Sequence, residues 1–312
     1  MNRTTLRLKP LALILATTFP LFAHAAPTVS ASGYYQYGGY DYDPASPINL
    51  SDSFVQNTTT SAFSETKYGS PNPYSNWISS NVSAASDGAG HFGSVIENSF
   101  SFPWGLTQKA GTVVTLTDTI TNNTASAQNI SFNFNIDHLS INTFKGTEGS
   151  NSPLTNTASF AAKIDVNGST VWNTGFSTQQ VNSETVTWQQ TGTSIGLDSL
   201  PVDPICSTGM FHSCGFAIQN YTNTLNLGPL AANASLTVSY TVRLDTETNS
   251  YGGSSSISFS DPAGISAGNA SGAPFSASLQ FAAPVPEPEQ TSMLLAGLAL
   301  VGFAAKRRRK SR

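Results

Sequence analysis

"SLTVSYTVRL" (Ser235–Leu244) puts a large apolar residue at every second position: Leu236, Val238, Tyr240, Val242 and Leu244. Between them stand Thr237, Ser239, Thr241 and Arg243. Successive side chains of a strand point to opposite faces, so this period of two predicts a strand with one face on a core and one in water. Such alternation belongs to antiparallel sheets, because parallel strands are covered on both faces and read as continuous apolar runs. The same pattern recurs in "NISFNFNID" (129–137), with Ile130, Phe132, Phe134 and Ile136 on one face. After His138 the parity slips to Leu139 and Ile141, for which a β-bulge is the simplest expectation. "TVVTLTDTI" (112–120) supplies Val114, Leu116 and Ile120. In "SFAAKIDVNGSTVW" (159–172), Phe160, Ala162, Ile164 and Val166 lead into Asn167-Gly168, a pair that tolerates the positive φ of a type I′ hairpin turn. "ETVTWQQ", "SISFS" and "FSASLQF" add further strands, while helical periodicity is nearly absent. The fold expected is all-β, an antiparallel β-sandwich of jelly-roll or immunoglobulin-like form.

The ends of the chain differ from this body. Arg3, Arg7 and Lys9 precede an apolar run, Leu11 to Phe22, and Ala23-His24-Ala25 offers small residues at both recognition positions for cleavage before Ala26. That is the form of a secretory signal peptide over residues 1–25, removed by signal peptidase. At the other end, Lys306, Arg307, Arg308, Arg309, Lys310 and Arg312 hold six of the fourteen Lys and Arg residues. The body, 26–284, therefore keeps five cations against sixteen acids, a net charge of −11. Such an acidic surface excludes a nucleic-acid partner, which needs a basic patch. Charged residues make up only 10% of the chain, with Ser, Thr, Asn and Gln in their place. The two cysteines, Cys206 and Cys214 in "CSTGMFHSC", should close a disulfide in an oxidising compartment. With His212 they are too few for a structural zinc site.

Chemistry-bearing residues do not converge. His91, His138 and His212 have no partner visible in the sequence, and no cofactor or metal site is expected. "GISAG" (264–268) matches the pattern of a nucleophile elbow around Ser266, but Asp261-Pro262 before it and "NASGAP" after it supply no strand–turn–helix. Asp41 and Asp43 begin a calcium-like spacing that does not continue. "SGYYQYGGYDYDPASP" concentrates Tyr34, Tyr35, Tyr37, Tyr40 and Tyr42 in a Tyr-rich stretch over 30–48. Its two readings are an aromatic platform for sugar rings and an edge strand ending in a turn. No enzymatic activity is expected.

The closing stretch, "VPEPEQTSMLLAGLALVGFAAKRRRKSR" (285–312), orders three features. Pro286-Glu287-Pro288 is stiff and cannot be helical. The apolar run from Met293 to Ala305 would reach only about 20 Å as a helix, short of a hydrocarbon core of about 30 Å. The basic cluster then stops transfer on the cytoplasmic side. Val285-Pro286-Glu287-Pro288, "LLAGLALVGFAA" and "KRRRK" in this order resemble the PEP-CTERM sorting signal of Gram-negative bacteria. Glu289-Gln290-Thr291 is a more polar spacer than the family uses. The resemblance implies recognition by an exosortase, a membrane-embedded cysteine protease. It also implies transient insertion in the inner membrane, processing near the motif, and residence in the envelope, biofilm or extracellular matrix. The expected role is structural or adhesive, with exopolysaccharide as partner; the alternatives are a secreted polysaccharide hydrolase and a lectin-like carbohydrate-binding module.

Overall fold

The computed structural model describes residues 23–24, 27–40, 47–58, 63–69, 78–86, 92–100, 107–145, 155–181, 185–195, 205–206, 212–249, 253–261 and 277–281. Every regular element among them is a strand. In chain order these are β1 (Ala23–His24), β2 (Thr28–Tyr40), β3 (Pro47–Thr58), β4 (Phe63–Gly69), β5 (Ile78–Ser86) and β6 (Phe92–Phe100). There follow β7 (Thr107–Thr121), β8 (Gln128–Lys145), β9 (Thr155–Val166), β10 (Ser169–Val181) and β11 (Thr185–Gly192). The last are β12 (Ile205–Cys206), β13 (His212–Leu230), β14 (Ser235–Asn249), β15 (Ser254–Asp261) and β16 (Ala277–Phe281). One sheet runs β11-β10-β9-β14-β7-β2-β3 with β1 beside β7, and the other β12-β13-β8-β15-β6-β5-β4 with β16 beside β8.

The inward face of β14 is the one its alternation predicts. Val238, Tyr240, Val242 and Leu244 are at most 1% exposed, and Leu236 is buried. Tyr240 meets Phe92 of the opposite sheet at 5.3 Å between ring centroids, and Phe160 meets Phe259 at 5.7 Å. These cross-sheet contacts make the molecule an antiparallel β-sandwich, with more strands than the immunoglobulin or jelly-roll forms. Each fully buried side chain of this kind contributes about 1.5–3 kcal/mol. The hairpin at Asn167-Gly168 is also as expected, with φ of 48° and 83°.

The chain passes between the sheets at the β7–β8 and β13–β14 turns among other places, and Asn122 holds these two turns together. Its side-chain amide donates to the carbonyls of Ser126, Leu230 and Ala231, and its backbone N–H donates to Ala234 O. Those contacts join the β7–β8 turn to the β13–β14 turn.

Two expectations need correction. No bulge accompanies the parity change in β8: its register against β13 is constant from Asn226↔Ser131 to His212↔Lys145. The shift lies between Asn226 and Gly228 instead. The change of face falls where the ladder with β15 ends, at Ser260↔His138, so both strands of the β8–β13 pair turn together. The Tyr-rich stretch is not at an edge either. β2 pairs with β7 on one side and β3 on the other, and β3 ("PINLSDSFVQNT") covers it because its Phe54 is buried opposite Gly33.

One end of the core is polar across its whole width. Tyr37, Gln108, Thr248, Asn156 and Gln180 are neighbours in register across the first sheet, and all are at most 1% exposed. Ser80, Asn98, Ser255 and Thr143 form the matching row of the second sheet. Gln108 Nε2 donates to Ser80 Oγ (2.7 Å) and Tyr37 Oη (3.3 Å), and Asn98 Nδ2 to Thr246 Oγ1 (2.7 Å). Ser80 Oγ donates to Asn98 Oδ1 (2.6 Å), and the Thr248 and Ser255 hydroxyls share a bond of 2.8 Å. Burial without water raises the pKa of Tyr37 to about 12, against the opposing pull of its hydrogen bonds to Ser80 and Gln108. A network of this kind fixes how the sheets align, since sliding one past the other would orphan buried groups.

Candidate functional site

The outward face of the first sheet carries two kinds of surface. Along β7 and β14, directly opposed residues form a ladder of hydroxyls: Thr115 with Thr241 (3.1 Å), Thr117 with Ser239 (3.4 Å), Thr119 with Thr237 (2.9 Å) and Thr121 with Ser235 (2.8 Å). Towards the polar end of the core, charges take over and pair off. Lys109 meets Glu247 at 3.2 Å and Arg243 makes two bonds to Asp245, while Lys163 meets Asp165 at 2.7 Å on β9, in register with Thr241 and Ser239 of the hydroxyl ladder. Partial burial pushes the Asp165 carboxyl up, but hydrogen bonds from Lys163 and Thr170 and the Lys163 charge outweigh it and hold it below the usual range. The hydrogen bond and charge of Asp245 raise the pKa of Arg243.

Beside the charged zone lies a trough along β9, β10 and β11. Its first part, about 590 Å³, is lined by Thr157, Ser159, Ser177, Gln179, Thr187 and Gln189 among others. Its second part, about 470 Å³, continues along the same strands past Ala161, Lys163, Asn173 and Thr191 to Arg243 of β14. The floor is made by small residues at outward positions: Ser159 and Ala161 on β9 face Ser177 and Gly175 on β10. A Cβ at Gly175 would lie 2.8 Å from the Thr191 hydroxyl, so glycine keeps the floor open where the strands are closest. Neutral hydroxyl and amide side chains dominate the lining of the first part, and the cations of the second are already held by carboxylates.

The sequence-derived candidates fall in different places. Tyr35 and Tyr37 are core residues, 5% and 0% exposed, with their rings edge to face at 5.6 Å. They offer no face to a sugar, so the five tyrosines do not form one platform: alternation along β2 sends odd-numbered Tyr35 and Tyr37 inward. Tyr34 is outward, 41% exposed, with its ring against Gly111. Tyr40 closes β2 in register with Pro47, and Tyr42, Asp41, Asp43, His91 and Ser266 lie outside the described residues. Cys206 of β12 stands directly opposite Cys214 of β13. His138 and His212 sit in β8 and β13, opposite Gln219 and Lys145. Ala23 pairs with Thr121 in β1, whereas Ala25 and Ala26 lie outside the described residues. So do Val285, Pro286, Glu287 and Pro288, the apolar run, and the basic cluster Lys306, Arg307, Arg308, Arg309 and Lys310. The trough was missed because its residues, in "TNTASFAAK" and "TGFSTQQ", are small or polar at outward positions, which alternation alone reads as solvated surface.

The fold defines the class of the chain as an all-β antiparallel sandwich. Residues 284–309 match the family model of the PEP-CTERM protein-sorting motif. The chain thus carries a PEP-CTERM signal, the mark of an exported, envelope-associated protein that an exosortase sorts. No curated protein and no solved structure matches the chain.

Proposed function

We propose that this is a non-enzymatic structural or adhesive protein of the cell surface or extracellular matrix, associated with exopolysaccharide. The observation that carries the reading is the sorting motif at residues 284–309. On this reading signal peptidase cuts between Ala25 and Ala26. Of the described elements, that removes only the two-residue β1 and leaves β2 paired on both sides. The apolar run from Met293 to Ala305 enters the inner membrane transiently, stops at Lys306 to Lys310, and presents Pro286-Glu287-Pro288 to the exosortase. Cys206 and Cys214 then close a disulfide. Their opposed register supports it, since directly paired antiparallel residues are about 4.5–5.5 Å apart at Cα, inside the span a disulfide bridges. Asp165, Asp245 and Glu247 are each paired with a cation, which supports binding over hydrolysis. The test is the location and mass of the processed protein in wild type, Glu287→Ala and an Arg307/Arg308/Arg309→Ala variant. Loss of processing in both variants is expected; unchanged mass and location overturn the reading.

A further inference from the structure

Building on the polysaccharide-associated reading above, we propose that the trough over β9, β10 and β11 binds a neutral, linear polysaccharide chain. The shape is a channel rather than a pit. From Thr157 to Lys163 it follows six residue steps of β9, about 20 Å at ~3.3 Å per residue. That length takes several consecutive sugar units and suits an internal stretch of a polymer.

The chemistry of the walls selects the ligand. Backbone N–H and C=O groups of β10 are used in ladders to β9 and β11, so an extended peptide could not bind there by main-chain pairing. What remains are side-chain hydroxyls and amides, Thr157, Ser159, Ser177, Gln179, Thr187 and Gln189, which both donate and accept. Their counterpart is a ligand dense in hydroxyls. An anionic polymer is disfavoured because Lys163 and Arg243, the cations in the lining, are bonded to Asp165 and Asp245. Those carboxylates would repel a second negative charge.

The experiment uses protein expressed as the full chain and recovered from the exported fraction. It is run by affinity electrophoresis in gels containing a neutral linear glucan or, separately, a polyuronate. Ser177→Tyr and Ala161→Tyr fill the floor, Gln189→Ala removes a wall group from an exposed position, and Ser51→Tyr on β3 is the control on the same face. Wild type and Ser51→Tyr are expected to be retarded by the glucan. The two floor variants should lose at least about tenfold in affinity, and Gln189→Ala a smaller factor. Equal retardation of all variants overturns the site while leaving the polysaccharide association standing. Retardation by the polyuronate alone overturns the ligand class. No retardation of wild type by either polymer overturns both the site and the polysaccharide association, and leaves sorting to the envelope untouched.

Discussion

Tyr37 gives the polar end of the core a pH signature. Its phenol titrates near pH 12 in the folded protein, against an ordinary value near 10. Above pH 10 the unfolded chain loses this proton while the folded chain keeps it, so the folded state binds more protons and stability falls as pH rises. The slope between the two values is about 1.4 kcal/mol per pH unit, and the loss levels off at about 2.7 kcal/mol above pH 12. Below pH 10 this contribution is complete and constant. Other tyrosines also titrate in this range, so the comparison is with Tyr37→Phe, which lacks the phenol and keeps the ring in its buried site. At neutral pH the variant forfeits the bonds to Ser80 and Gln108, and should be about 1–2 kcal/mol less stable than wild type. It also loses the alkaline penalty. The two stabilities should therefore cross near pH 11, with the variant the more stable beyond it. Urea unfolding followed by tryptophan fluorescence at half-unit steps from pH 8 to pH 12 measures the difference directly. A constant difference across that range would refute the claim that Tyr37 is buried and neutral.

Two further perturbations test the framework. Asn98→Ala leaves Ser80 and Thr246 without their partner, and should cost about 2–4 kcal/mol with an unchanged denaturant slope. Combined with Thr246→Val it should show a coupling of about 1 kcal/mol, and strict additivity would remove the bond from the account. Replacing Cys206 and Cys214 by serine should lower stability by about 2.5 kcal/mol, and unfolded wild type should take up no thiol label without reductant. Labelling of both cysteines would rule out the disulfide.

The sequence made some elements legible because one physical signal dominated them. Leu236 to Leu244, Ile130 to Ile136 and Phe160 to Ile164 are large apolar residues at strict alternation, and each set faces the core. Asn167-Gly168 was readable because few pairs adopt positive φ. The polar end of the core was not, since Gln108, Thr246 and Thr248 obey the same parity but carry groups that single-strand reasoning assigns to water. Only the register of Tyr37, Gln108, Thr248 and Asn156 across four strands shows that their partners lie inside. The position of β2 was misread for a related reason: β3 alternates weakly, so nothing in the chain marked it as the strand that covers the tyrosines. The trough depends on which small residues become neighbours, Ala161 with Gly175 and Ser159 with Ser177, and pairing is a property of the sheet. The sorting motif needed no fold to be read, because its order along the chain is itself the signal.

The central claim is that residues 284–309 are a sorting signal that is read and then processed. Mass spectrometry of the protein recovered from the envelope tests it most directly. A carboxy terminus at or near Pro286–Pro288, absent when Glu287 is replaced by alanine, is the result predicted. A protein that keeps every residue through Arg312, with or without Glu287, would contradict it.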